Sequence, residues 1–233
     1  MCFTPTVTAG MIVVGGAAAV ITLRRGDPAA IWGTLAYFTG MEALQAAGYA
    51  VVDQCGTGTN ASVTALSYLH IAFQPVAINL FAMAIAPAPV SDAMRRRVLW
   101  FSLLASALLL LRLAPIPALG TCAPGDVLCG VDWCLRSGEW HIAWEVPLND
   151  LPGTLGIPGD FWPYMLAVFV LPLFYGAWRF VLFHAVVGPA LAWALTDDPN
   201  EMPAIWCLFS IGIILIALSP AIRHRVMGVR ATA

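Results

Sequence analysis

The stretch FWPYMLAVFVLPLFYGAWRFVLFHAVVGPALAWAL, residues 161–195, decides the architecture. It carries one arginine, Arg179, and no acid. A membrane-spanning helix needs about 20 mostly apolar residues to cross roughly 30 Å of hydrocarbon. As one helix, Phe161–Leu195 would be far too long unless steeply tilted. As two, Phe161–Trp178 and Phe180–Leu195, it fits, and Gly176 and Arg179 supply the turn. Five further apolar runs flank it: Val7–Leu23, Ala30–Val52, Ser62–Ala86, Val98–Ala114 and Pro203–Ala221. The expectation is an all-α polytopic membrane protein with seven transmembrane helices in a single domain, residues 1–233.

Composition agrees. Of 233 residues, 60% are apolar and 10% charged, against about 25% charged in a soluble domain. The net charge of −2 suggests no nucleic-acid partner. All eleven basic residues are arginine, so chemistry that needs a lysine Schiff base is excluded. The chain does not open like a signal peptide, because Arg24 and Arg25 follow the first apolar run instead of preceding it.

Arginine placement selects seven spans. With the N-terminus outside, Arg24, Arg25, Arg95, Arg96, Arg97, Arg179, Arg223, Arg225 and Arg230 are all cytoplasmic, as is the C-terminus. Only Arg136 is external, and Arg112 lies within the fourth helix. A single span over residues 161–195 would put Arg223, Arg225 and Arg230 outside. Trp32, Trp100 and Trp178 would then mark the inner interface, and Trp162, Trp193 and Trp206 the outer one. The expected location is the cell (inner) membrane, with the lipid bilayer as the first partner.

The long connection, residues 115–160, is external on this topology. Within it Gly138–Leu148 could form a short interfacial helix, with Trp140 and Trp144 on one side and His141 and Glu145 on a shared face. Cys2, Cys55, Cys122, Cys129, Cys134 and Cys207 are all external or at outer helix ends, where disulfides are favoured. At least one bridge is expected within the long loop or from it to Cys55. Six cysteines allow 15 full pairings, and spacing does not choose among them. A zinc site on Cys122, Cys129 and Cys134 would lack a close pair of ligands.

Ionisable groups at membrane depth are costly and point to function. Here they are Glu42, His70, Arg112 and His184, accompanied by Gln45, Gln74 and Asn79. At about 1.5 Å per residue, Glu42 lies near mid-membrane and His70 about 12–14 Å from the outer face. Glu42, Gln45 and Tyr49 follow one helical stripe, and Ser67, His70 and Gln74 another. A middle layer of Glu42, Gln45, His70 and Arg112 is expected, above an inner layer of Gln74, Asn79 and His184. Pro75 and Pro189 each follow a histidine by five residues. They free the carbonyls of Ile71 and Ala185, and such breaks need protein or water to satisfy them.

Several chemistries suit this set. Glu42 could pair with Arg112 or His70 while the amides join helices, a purely structural use. Glu42, His70 and His184 could ligate a divalent metal such as zinc with an open position for water, giving a metal-dependent membrane hydrolase. A proton, ion or small-ligand pathway, or haem held by His70 and His184, would use the same groups. A small-molecule or lipid ligand fits the ligand version. The alternative from a different class is a non-enzymatic accessory or assembly subunit of a membrane complex, with a membrane-protein partner packed against small residues such as Gly15 and Gly16.

The stretches Met41-Glu42-Ala43-Leu44-Gln45, Tyr68–Asn79, Asn200-Glu201 and Ile205–Ile211 resemble a family of multi-pass microbial membrane proteins with no assigned function. That resemblance implies an integral membrane protein and adds no reaction. A more distant, architectural similarity is to the alkaline ceramidase and adiponectin-receptor superfamily of seven-helix zinc hydrolases. The shared features are the helix count, a membrane glutamate and Ser67-x-x-His70. That family's pattern puts its serine four residues before the histidine and a His-x-x-x-His pair on the last helix. Here the spacing is three and the last helix lacks the pair, so the metal triad does not carry over. The reading that remains is a polar Glu/His site between helices 2, 3 and 6.

Overall fold

A computed structural model describes residues 4–157, 161–210 and 212–227. Cys2, Asp160, Ile211 and Arg230 lie outside the described residues. The chain is mostly helical, beginning with four long helices: α1 (Pro5–Arg24), α2 (Ala29–Tyr49), α3 (Gly58–Ala84) and α4 (Asp92–Leu111). Each packs on the next. Their ends are set locally. Pro5 opens α1, the Thr57 hydroxyl accepts from Asn60 N at the start of α3, and Ser91 does the same for Met94 N in α4.

Beyond the long connection the helices are short and joined end to end. Helix α5 (Leu151–Thr154) closes the connection. Helix α6 (Trp162–Met165) runs on through a π-helical turn at Leu166–Val170 and a 3₁₀ stretch to Tyr175. Helix α7 (Trp178–Ala185) continues through a second π-turn, Val186–Ala190, into α8 (Leu191–Leu195). Then come α9 (Met202–Ser210), α10 (Ile213–Leu218) and α11 (Pro220–Met227). The break inside residues 161–195 falls at Gly176, whose φ of +80° a side chain would strain. Arg179 is not in the turn; it lies in the first turn of α7.

Among the described residues three helices are long and apolar enough to cross a membrane: Pro5–Arg24, Gly58–Ala84 and Trp178–Leu195. Trp162–Tyr175 and Met202–Leu218 are apolar but shorter. Only 28% of the apolar window of α1 and 22% of that of Trp178–Leu195 are buried by protein. Large apolar side chains such as Val13, Phe101, Leu182 and Trp193 stand exposed. Apolar surfaces of that extent mark contact with a membrane or another protein. Helix α3 is the most enclosed of the three, 67% buried, between α2, α4 and the α6 run. Helices α9 and α10 close the bundle by packing back on α2 and α1.

The chain is not wholly helical. Cys134–Ser137 (β1) and Ile142–Glu145 (β2) form an antiparallel hairpin, with Leu135 opposite Trp144. This corrects the expected interfacial helix over Gly138–Leu148. Trp144 is not at an interface but 1% exposed, within the core. The reason is where the backbone groups go. The Asn60 amide accepts from Leu135 N at 2.9 Å and donates to Leu135 O at 2.8 Å, pairing like a neighbouring strand. Trp144 N is taken by Asn200 O at 3.0 Å. Asp53 accepts from Ser137 N and Ser137 Oγ at 2.7 and 2.6 Å. Those two bonds hold the Asp53 carboxyl below its usual range. They also fasten a residue at φ +62°.

Two disulfides secure this end: Cys55–Cys134, joining the α2–α3 connection to β1, and Cys122–Cys129 within the long connection. Both of the expected kinds of bridge are present. Cys122, Cys129 and Cys134 are thereby committed to sulfur, not to zinc, and Cys207 is a buried free thiol. At the other end Arg223 meets Asp27 at 3.1 Å, and Arg179 donates to Arg225 O at 2.9 Å. The arginine-bearing ends of α1, α7 and α11 are thus gathered together, opposite the hairpin.

Candidate functional site

The expected polar residues separate into distinct groups. Glu42 is 1% exposed on the buried face of α2. Neither of its oxygens has a hydrogen-bond partner among the described residues. His70 does not turn to it. His70 Nε2 donates to Tyr37 O at 2.8 Å, Tyr37 Oη donates to His70 O at 2.5 Å, and the two rings stack at 3.8 Å. The Glu42–His70 pair expected from their shared depth is not made, because Tyr37, five residues before Glu42, takes the imidazole.

Arg112 is also elsewhere. It caps the C-terminus of α4, and its Nε donates to Asn149 O at 3.3 Å while its carbonyl accepts from Asn149 N at 2.8 Å. It fastens the long connection instead of joining a middle layer with Glu42. Gln45 points to the hairpin. Its Nε2 donates to Ala204 O at 3.4 Å, so its Oε1 faces His141 Nε2 at 2.8 Å. An amide oxygen only accepts, so His141 Nε2 carries the proton and Nδ1 accepts from Tyr49 Oη at 2.7 Å. Burial at 0% exposure pushes the His141 pKa down to about 4.

Behind His141 stands Glu201, also 0% exposed. Its carboxylate accepts from Trp140 N at 2.6 Å, from His141 N, and from Thr196 Oγ1 at 2.6 Å. The hairpin tip is therefore held by one imidazole and one carboxylate. Neither role follows from spacing along the chain, since the partners are 60 or more residues apart.

The third group borders a cavity of about 400 Å³. Gln74 and Ile71 of α3 form one wall, Tyr164 and Met165 of α6 another, and Trp206 and Cys207 of α9 a third. Gln74 Nε2 donates to Cys207 Sγ at 3.2 Å, and Tyr164 Oη donates to Gln74 Oε1 at 2.6 Å. These three side chains make one polar corner in an otherwise apolar space. Local backbone irregularity opens the space. Pro189, in the second π-turn, lines it, and the first π-turn follows Met165 directly. Gly188 lets the indole of Trp206 lie against that second turn, where a Cβ would collide with it.

Trp206, expected at the outer interface, is instead 9% exposed. Its Nε1 donates to His184 Nε2 at 3.2 Å, and its ring meets Tyr164 edge-on at 5.2 Å. His184 lies among Phe169, Phe180 and Trp206. Asn79, placed with Gln74 and His184 by depth, serves the α6 run instead, donating to Ala167 O at 2.7 Å and accepting from Tyr175 Oη at 2.9 Å. Among the described residues no three His, Cys, Asp or Glu side chains stand close enough to hold a metal ion. Glu42, His70 and His184 therefore do not form the expected metal triad: His70 serves Tyr37 and His184 serves Trp206. Of the six candidate residues only Gln74 lines the cavity. Tyr164, Trp206 and Cys207 were not foreseen there, and the one signal for them is the run of aromatic and sulfur side chains at helix starts.

Residues 6–227 match the model of a family of unknown function (DUF5765). No curated protein and no solved structure matches the chain. The likeness to alkaline ceramidases and adiponectin receptors thus gains nothing from these comparisons.

Two outcomes follow from the buried polar groups. His141 is neutral in the fold and takes up a proton near pH 6.5 once unfolded. Its contribution to stability is full above about pH 6.5 and is lost as the pH falls towards about 4. Melting temperature measured across that window should fall more steeply in the parent protein than in His141→Gln; equal slopes would remove the imidazole from this role. A buried polar group without a partner costs about 1–3 kcal/mol. Glu42→Leu should therefore raise the melting temperature of the detergent-solubilised protein by a few degrees, and a drop instead would mean that the carboxyl stabilises the bundle.

Proposed function

The chain belongs to this family of unknown function, and from that premise we propose that it is a multi-pass integral membrane protein that holds a small, mainly apolar ligand inside its helical bundle. The carrying observation is the cavity of about 400 Å³ with its single polar corner at Gln74, Tyr164 and Cys207. Ligand sites are typically concave and largely apolar, of about 300–1,000 Å³, with a few polar groups that fix orientation. The Glu/His reading between helices 2, 3 and 6 is replaced by a site between α3, α6 and α9. Its histidines are occupied by neighbours, so the metal-hydrolase version has less behind it than plain ligand binding.

The membrane arrangement we propose has seven spans, with the N-terminus outside and the C-terminus in the cytoplasm. The spans are α1, α2, α3, α4, Trp162–Tyr175, Trp178–Leu195 and Met202–Leu218. Support comes from the clustering of Arg25, Arg179 and Arg223 at one end, and of both disulfides and the hairpin at the other. Positive charge favours the cytoplasm and disulfides favour the oxidising side. The short spans agree with a bundle whose last helices are kinked and continued by π- and 3₁₀-turns.

Native mass spectrometry of the protein extracted in mild detergent should detect a retained small lipophile. Met165→Trp, which fills the cavity from its edge, should reduce retention about tenfold with the melting temperature preserved. Undiminished retention in the variant, or none in the parent, would overturn the binding-site reading. For orientation, a reporter fused after Met227 should be active only in the cytoplasm, and external activity would overturn the proposed topology.

A further inference from the structure

The same cavity specifies the kind of molecule it takes, an inference that rests on the ligand-binding reading above. Among the described residues lining it, none is charged. Apart from the indole N–H groups of Trp162 and Trp206, the second of which is given to His184, its side-chain polar atoms are those of Gln74, Tyr164 and Cys207. A Gln side chain has two N–H groups and one carbonyl oxygen. One N–H goes to Cys207 Sγ at 3.2 Å, and the oxygen takes Tyr164 Oη at 2.6 Å. That leaves the second amide N–H as a donor and the Tyr164 oxygen as an acceptor. A donor and an acceptor side by side suit one hydroxyl, or one carbonyl on the donor alone. They offer nothing to neutralise a phosphate, a carboxylate or an ammonium group.

Position adds a second constraint. Gln74 is in the middle of the 27-residue helix α3, 3% exposed. Met165 is the most exposed residue of the lining, at 38%. We take the entrance to lie on that apolar flank, which faces lipid in the membrane arrangement proposed above. A head group entering there must leave water before it reaches the corner. A hydroxyl recovers at the corner the hydrogen bond it gives up on that path, whereas an unpaired charge at such depth is far more costly. The indoles of Trp162 and Trp206 are part of the walls and suit contact with an apolar chain.

We propose that the cavity is a binding site for an uncharged lipophile bearing a single hydroxyl or carbonyl, seated with that group on Gln74 and Tyr164 and its chain directed to the bilayer. Anionic and zwitterionic membrane lipids are excluded from it by their head groups.

Parinaryl alcohol and parinaric acid, which share one fluorescent polyene chain and differ in charge, test this. The protein is placed in phosphatidylcholine nanodiscs, in buffer alkaline enough to ionise the acid. Energy transfer to the polyene from the chain's nine tryptophans, two of them in the cavity wall, reads binding through its saturable part. A saturable signal is expected for the alcohol, competed by an unlabelled long-chain alcohol, with the acid at least tenfold weaker. Gln74→Leu should weaken the alcohol about tenfold, and Tyr164→Phe should weaken it less, each measured well below the variant's own melting temperature. An acid that binds as tightly as the alcohol, or a Gln74→Leu variant with unchanged affinity, would overturn the assignment of the head group while leaving a cavity that binds lipophiles. No saturable signal from either probe would overturn both this inference and the ligand-binding reading.

Discussion

The Glu201 carboxylate is the constraint on which the rest of the structure depends. It sits at the entry to α9 with no exposure to solvent and accepts from two backbone N–H groups of the hairpin tip and from Thr196. Each donor would otherwise be buried without a partner, at a cost of about 1–3 kcal/mol. The bonds therefore hold three parts of the chain in register: the hairpin, the end of α8 and the start of α9. Helix α9 carries Trp206 and Cys207 into the cavity wall. Its placement against α2 is reinforced by Gln45, which spans from Ala204 to His141.

The same accounting explains why the long connection is ordered. Its strands do not form a free two-stranded hairpin, which would be marginal by itself. They borrow partners from the helices. Asn60 completes the edge of β1, Asn200 takes Trp144 N, and Asn149 is bonded to the end of α4. Cys55–Cys134 then fixes β1 covalently to the turn before α3, across a sequence separation of 79. Cross-links that close long loops restrict the unfolded chain most, by about 4 kcal/mol in the chain-entropy account. The hairpin is a cap whose backbone groups are satisfied by side chains of the helices and their connections, Asn60, Asp53 and Glu201.

Inside the bundle, polar side chains are used in pairs and not in one cluster. His70 goes to Tyr37, His184 to Trp206, Asn79 to Tyr175 and Gln74 to Tyr164. Each is a nitrogen-bearing side chain matched with an aromatic residue that has a polar handle or a nearby carbonyl. Such pairs satisfy hydrogen bonds without bringing charges together in a medium of low polarity. The cavity forms where that pairing coincides with two π-turns and Pro189, which keep the backbones of the α6 and α7–α8 runs from closing on α3.

Much of the helical outline was legible in the chain alone, because long apolar runs and their breaks at Gly176 and Arg24-Arg25 act locally. So was the expectation that the loop cysteines pair. The site was not. Depth counting placed Glu42 and His70 at one level, yet equal depth does not choose the direction a side chain takes around the helix, and Tyr37 claimed the imidazole. The window Gly138–Leu148 suits a helix by spacing and became a hairpin turn and strand because Asn60, Asp53 and Cys55 hold its partner strand. Composition and periodicity settled what is apolar and where the helices run, since those depend on neighbours a few residues apart. Tertiary structure alone decided which buried polar groups meet, since most of those bonds join residues separated by tens of positions and form only when the helices have packed.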